Sequence, residues 1–258
     1  MKSVVSVLLI LASSASFARG LSATRNEGES YEDARSRHSY TRYYSAKPRI
    51  ANSPEHMAKA LRAIKSSEVP AVSSAKDLTT QFDFFRDDRY LVSTEPNFLR
   101  RIAWMFPDDG CFLRAELARL LLADRKFTAA KKIFAFGKLE AETKNSPTGS
   151  VQWWYHVALT YRVGDNIFVL DPSLNPSKPM TLLEWDAAIG GAITPVKYAV
   201  CSGGTFDPDD DCVNPKGLDK EDVVSDEGEY LTDEWARILE LHRDPTRELG
   251  NFPPWLKN

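Results

Sequence analysis

The sequence predicts an α+β fold in which a helix headed by a cysteine packs on an antiparallel sheet. Two stretches predict it: helix-spaced leucines follow Cys111, and Val151 to Asp171 divides into two strands around a tight turn. Size and composition agree, since 258 residues that are 43% hydrophobic and 27% charged suffice for a packed core and exclude a disordered or polytopic membrane chain. With 33 basic and 36 acidic residues the net charge is -3. That balance gives no electrostatic case for nucleic acid or an acidic membrane as partner, so function must come from a site.

Residues 1–18 have the layout of a secretory signal peptide: Lys2, an apolar run from Val4 to Ala12, then small residues ending in Ser16-Phe17-Ala18. The run is well short of the ~20 residues that span a bilayer. The expectation is export to the periplasm or beyond, with no stable membrane association. Residues 19–75 form an N-terminal arm or short pro-segment, and 76–258 the main domain. From Arg19 to Ser53 basic residues interleave with Tyr31, Tyr40, Tyr43 and Tyr44 without an apolar period, which suits a linker or weakly packed arm. Ser53 to Ile64 reads as a helix, with Ser53 as cap, Pro54 at its first position, and Met57, Leu61 and Ile64 on one face. The stretch from Ser66 to Thr80, with Pro70 and many small residues, marks a soft boundary.

Further on, Phe98 to Met105 is helical or turn-like. Pro107-Asp108-Asp109-Gly110 is a turn that delivers Cys111 to the start of a helix reaching Ala123. On that helix Leu113, Leu117, Leu120 and Leu121 are apolar, with Arg114, Glu116 and Arg119 on other faces. Lys126 to Phe136 extends or restarts helix, and 145–149 is a loop. Val151 to Tyr161 alternates as a strand, with Gln152, Trp154, His156, Ala158 and Thr160 on one face. After Gly164-Asp165-Asn166 a second strand runs from Ile167 to Asp171, ended by Pro172. Thr232 to His242 reads as an amphipathic helix with Trp235, Ile238, Leu239 and His242 near one face.

Export changes how the three cysteines are read. Cys201 and Cys212 enclose a loop rich in Gly and Asp, and in an oxidising compartment they should form a disulfide. Cys111 is then odd, and an unpaired thiol is intermolecular, buried and inert, or a nucleophile. The hairpin helps to choose. If its turn centres on Gly164 and Asp165, Asp171 lies opposite Ala158 and on the face of His156. The two are then diagonal neighbours about 7–8 Å apart at the backbone, a gap their side chains can bridge. A three-residue loop would separate them onto opposite faces. Asp171 thus suits an orienting carboxylate, with Asp165 at the turn tip as its alternative. At a helix start, both the helix dipole and a neighbouring imidazolium favour the thiolate of Cys111 and lower its pKa. The backbone N–H groups there can receive an oxyanion. Nucleophile, base and orienter are accordingly Cys111, His156 and Asp171, the arrangement of papain-like and transglutaminase-like enzymes.

Pro-Asp-Asp-Gly-Cys-Phe-Leu-Arg-Ala at 107–115, Trp-Tyr-His-Val-Ala at 154–158 and Val-Leu-Asp-Pro-Ser-Leu at 169–174 resemble the three signature blocks of secreted bacterial protein-glutaminases, the protein-glutamine deamidases. The resemblance covers roughly 80–200. It implies a Cys-His-Asp site at Cys111, His156 and Asp171 on a transglutaminase-like α+β core, glutamine-containing protein or peptide substrates, and synthesis as a pre-pro-protein whose N-terminal segment covers the site.

The duller alternatives are a structural Cys111 in a secreted binding module, and a core histidine at 156. The other histidines, His38, His56 and His242, sit in less structured or helical contexts without such a partner. A transglutaminase-like acyltransferase or a cysteine peptidase would use the same three residues. Trp154, sharing the histidine face, is a candidate wall for the acyl pocket. Asp207, Asp209 and Asp211 alternate like calcium ligands but fail the EF-hand template, because Cys212 stands where glycine is needed and Leu218 where glutamate is needed. A solvated loop is expected there. No His or Cys pair has zinc spacing and no phosphate-binding glycine loop occurs, so neither metal nor cofactor is expected.

Overall fold

The computed structural model describes residues 22–43, 50–93 and 97–250, with the side chains of 39–43 left undescribed; the expected signal peptide lies outside them. Six strands form one antiparallel sheet: β1 (Lys59–Ala60), β4 (Lys131–Glu142), β5 (Ser150–Val163), β6 (Asn166–Leu170), β7 (Met180–Thr181) and β8 (Lys197–Cys201), in the order β1-β8-β4-β5-β6-β7. A small separate pair joins β2 (Leu91–Val92) to β3 (Leu99–Arg100). Helix α4 (Cys111–Asp124) lies against β5, with α3 (Ala75–Asp87) and α6 (Lys220–Glu240) packed on it. Helices α1 (Tyr31–Tyr43), α2 (Pro54–Met57), α5 (Leu182–Ala188) and α7 (Pro245–Leu249), with short 3₁₀ turns at Leu61–Ala63 and Ser66–Glu68, complete the elements among the described residues. This is the α+β arrangement expected, a cysteine-headed helix on an antiparallel sheet.

The central hairpin has the expected register. Val163 pairs with Asn166 and Leu159 with Leu170 around the turn at Gly164 and Asp165. β5 is the longest strand and outruns its neighbours at both ends, where N-terminal segments cover its backbone. Thr24 bridges Trp153, with Arg25 N donating to Gln152 O and Trp154 N to Ala23 O. At the other end Ala71 bridges Arg162, and Val72 N donates to Arg162 O. The β4–β5 register shifts between Phe136 and Leu139, a bulge that increases the local twist.

Several elements differ from the expectation. Tyr31–Tyr43 is a helix whose buried face holds Ala34, Arg35 and His38; its burial runs through charged groups, so no apolar period marks it. Ser53 does cap a helix with Pro54 at its start, but that helix stops at Met57, because Ala58 is extended and Lys59 pairs with Tyr198. The stretch around Pro70 is tied into the sheet through Val72, and Ser74 caps α3, a helix the sequence reading did not assign. Phe98 to Met105 is the strand β3 followed by a turn.

α4 ends at Asp124, Lys126 turns the chain at φ 58, and from Lys131 the residues form β4 rather than more helix. The polar faces expected on α4 are absent, since Arg114 and Glu116 are buried. Glu116 is satisfied by Lys132 and Arg119, each at 2.6 Å. The last long helix starts earlier than expected, at Lys220, and ends before His242; of its expected apolar face Ile238 is buried and Leu239 is 53% exposed.

Candidate active site

Cys111 is placed by a turn whose geometry the sequence dictates. Gly110 caps α4 at φ +74, and a Cβ there would stand 2.8 Å from the ring of Tyr230, so both conformation and space demand glycine. Arg237 grips the preceding Asp108 with two nitrogens, at 2.5 and 3.1 Å. Arg114, one turn into the helix, donates to the carbonyls of Phe106 and Asp109. The turn is therefore held from α4 and α6 together. Two buried carboxylates of α6 brace the loop before it: Glu227 accepts from Ala103 N and Glu234 from Met105 N, each at 2.8 Å.

His156 Nε2 and Asp171 Oδ2 stand 2.7 Å apart, both residues buried, as hairpin parity requires. The other carboxylate oxygen accepts from Ser173 Oγ at 2.5 Å and Ser173 N at 3.2 Å, an Asx turn around Pro172. Trp185 Nε1 adds a fourth donor, to Oδ2 at 3.0 Å. Burial alone would raise this carboxyl, but the attraction of His156 and the hydrogen bonds from His156, Ser173 and Trp185 bring it down to about 2. An acceptor-only Asp171 makes Nε2 the protonated ring nitrogen. Nδ1 has no hydrogen-bond partner among the described residues and remains free for proton exchange.

Cys111, His156 and Asp171 line one narrow cavity together with Trp104, Arg114, Ala115, Leu159 and Leu170. The thiol differs from expectation in its ionisation. Cys111 is 2% exposed, and burial pushes its pKa up to about 12, with Arg114 and the Val157 N–H pulling it down and Asp109 and Asp171 adding to the rise. In this covered state the sulfur is a thiol, because desolvation outweighs the helix end.

The N-terminal segment lies on the turn that leads into Cys111. Ala23 N donates to Asp109 Oδ1 at 3.0 Å, Thr24 Oγ1 to Asp108 O at 2.7 Å, and Ser22 also bonds the Asp109 side chain. Behind it, Arg35 bonds Glu55 at 2.5 Å and Asp209 at 3.4 Å, and His38 Nε2 lies 3.3 Å from Asp209 Oδ2. His38 thus has an acidic neighbour after all. Asp207 and Asp209 are buried rather than solvated, and the expected disulfide between Cys201 and Cys212 closes the loop that carries them.

Trp154 does not line the cavity. Its ring packs on His38, with centroids 4.9 Å apart, and on Tyr31, while its Nε1 donates to Ser22 O. The tryptophans beside the histidine are Trp153, whose ring stacks at 4.5 Å, and Trp185. Strict alternation along β5 would put Trp153 on the face away from His156; the stacking occurs where the neighbouring strand β4 carries its bulge, opposite Trp154. Trp185 and Trp104 carry no sequence signal tying them to the site, whereas the Asp-Pro-Ser turn that recruits Ser173 is legible as an Asx motif. No group of three or more His, Cys, Asp or Glu residues that could hold a metal occurs among the described residues.

Comparison with known proteins adds one family. Residues 78–189 match the Gln_deamidase_2 family model, described as glutaminase. No curated protein matches the sequence. Among solved structures, a pro-protein-glutaminase is 22% identical at a TM-score of 0.49, covering 77% of this chain and 66% of its own. This chain thus spans slightly under two thirds of that protein's length. The protein-glutaminase from Chryseobacterium proteolyticum is 20% identical at a TM-score of 0.43, covering 73% of this chain and 95% of its own. Cys111, His156 and Asp171 all fall within the stretch that matches this family model.

Proposed function

We propose that the chain is a secreted protein-glutaminase, which hydrolyses glutamine side chains of proteins or peptides to glutamate and ammonia. The observation that carries this is the His156–Asp171 pair, with Nδ1 of the ring free and Cys111 lining the same cavity, inside the glutaminase-family segment. Cys111 Sγ attacks the side-chain carboxamide carbon while His156 Nδ1 takes the thiol proton. The first-turn N–H groups of α4, which lack partners within the helix, face the oxyanion. His156 returns the proton to the departing nitrogen, ammonia leaves, and a thioester remains. Water, deprotonated by His156, then attacks the thioester; glutamate is released and the thiol restored. Asp171 holds the ring in the required tautomer throughout.

Residues 1–18 are proposed as the signal peptide and the arm before 76 as a pro-segment. The contacts of Ser22, Ala23 and Thr24 with the turn before Cys111, next to a buried thiol, support that role. The test is mass spectrometry of the secreted protein and of a treated glutamine-rich protein. Glutamine-to-glutamate conversion with ammonia release, without new chain ends or crosslinks, is the expected result. Cys111→Ala and His156→Ala should each abolish it with the fold intact. Crosslinked product would indicate transamidation, cleaved product a peptidase, and full activity in either variant would remove the mechanism.

A further inference from the structure

Two indoles stack on the catalytic imidazole. The ring of Trp153 lies 4.5 Å from that of His156 with 11° between their planes, and Trp185 lies at 5.9 Å and 29°. Both tryptophans are fully buried, and a buried indole N–H needs an acceptor. Here the acceptors belong to the other two parts of the site. Trp153 Nε1 donates to Pro107 O at 3.0 Å and Asp108 O at 2.9 Å, in the turn that leads into Cys111. Trp185 Nε1 donates to the Asp171 oxygen that meets His156.

We infer that Trp153 and Trp185 are positioning residues for the reaction proposed above, on which this rests: Trp153 ties the imidazole to the nucleophile's turn, and Trp185 ties it to the carboxylate. With Nδ1 unbonded, the ring has one hydrogen bond to hold it, and rotation about that bond is stopped only by what lies against its faces. Trp153 does this while anchored to the segment that sets the position of Cys111, so one side chain registers base against nucleophile. Trp185 fills the site's remaining acceptor position and stops the carboxylate from swinging away. Displacing a reacting group by about 1 Å can cost on the order of a hundredfold in rate.

The test compares Trp153→Phe and Trp185→Phe, which keep an aromatic face and lose the N–H, with Trp153→Leu and Trp185→Leu, which lose both. Trp235→Phe, at a half-buried tryptophan outside the site, is the control. Steady-state ammonia release from a glutamine dipeptide by the secreted, processed protein is read beside the His156 Nε2–H resonance in the ¹⁵N-labelled full chain. Each phenylalanine variant should lower kcat by about tenfold to a hundredfold, with KM within about twofold. The leucine variants should fall further. In Trp185→Phe the Nε2–H resonance should shift or broaden as Asp171 loses its neighbouring donor. If both phenylalanine variants match Trp235→Phe in kcat and leave the resonance unmoved, the inference is overturned. Should the secreted, processed wild-type protein release no ammonia, the enzymatic reading fails, while the resonance in the full chain still decides whether the indoles hold the ring.

Discussion

The backbone N–H of Ala23 bonds the Asp109 carboxylate at 3.0 Å, which sets the N-terminal segment directly on the turn that leads into Cys111. The charged cluster behind that contact, Arg35 with Glu55 and Asp209, holds the arm in place. Removing one partner of a largely buried ion pair is destabilising, because the others are left uncompensated. Arg35→Ala should therefore raise the rate at which iodoacetamide alkylates Cys111 at pH 7.5, by about tenfold for each ~1.4 kcal/mol of lost cover. Wild-type full chain should react slowly, as a thiol pushed up to about 12 holds little thiolate at that pH. Equal rates in the two proteins would show that the arm does not shield the sulfur.

Asp171→Asn should lower kcat by roughly a thousandfold or more, the scale seen when a catalytic histidine loses its orienting carboxylate. The carboxyl titrates at about 2 in the fold against ~3.9 unfolded, so its contribution to stability is full above pH ~4 and is lost as pH falls through 2. Thermal melts from pH 2 to 5 should show that acid sensitivity in wild type and a flatter profile in the variant.

Glu227 has the opposite sign. Burial raises its carboxyl to about 7 despite the hydrogen bond from Ala103 N and the nearby charge of Arg114. The folded state then holds its proton where the unfolded state, at ~4.3, has lost it, so stability falls as pH rises from ~4 to 7 and levels off above. Glu227→Gln keeps an acceptor for Ala103 and removes the charge. Its melting temperature should exceed that of wild type at pH 8 and converge with it below pH ~4; equal melting at pH 8 would refute this.

Replacing Cys201 and Cys212 by serine should cost about 2–3 kcal/mol by loop-closure entropy, or very roughly 5–10 °C in Tm. The same loop presents Asp209 to Arg35 and His38, so alkylation of Cys111 should also quicken. A variant that melts lower without faster alkylation would separate the disulfide from the arm.

Legibility in the sequence followed locality. The His156–Asp171 contact depends on strand parity and a two-residue turn, both short-range, and the structure has that register residue for residue. The turn into Cys111 and the Cys201–Cys212 bond were equally local. What escaped depends on distant segments. α1 buries arginine and histidine against Asp209, so its period is invisible to a hydrophobicity pattern. Trp153 rather than Trp154 lies beside the imidazole, in a stretch where the neighbouring strand carries a bulge. The thiol's raised pKa comes from its burial in the folded core, which a pattern read along one segment does not show.

The excess length of β5 has a consequence for handling the protein. Any form lacking residues 22–25 presents the carbonyl of Gln152 and the amide of Trp154 without their strand partners. An unpaired row of peptide groups on a long strand is a template onto which a second molecule can zip. Colloidal behaviour would then change along with catalysis: the shortened protein should tend to associate edge to edge as its concentration rises, a tendency the segment around Thr24 holds off in the whole chain.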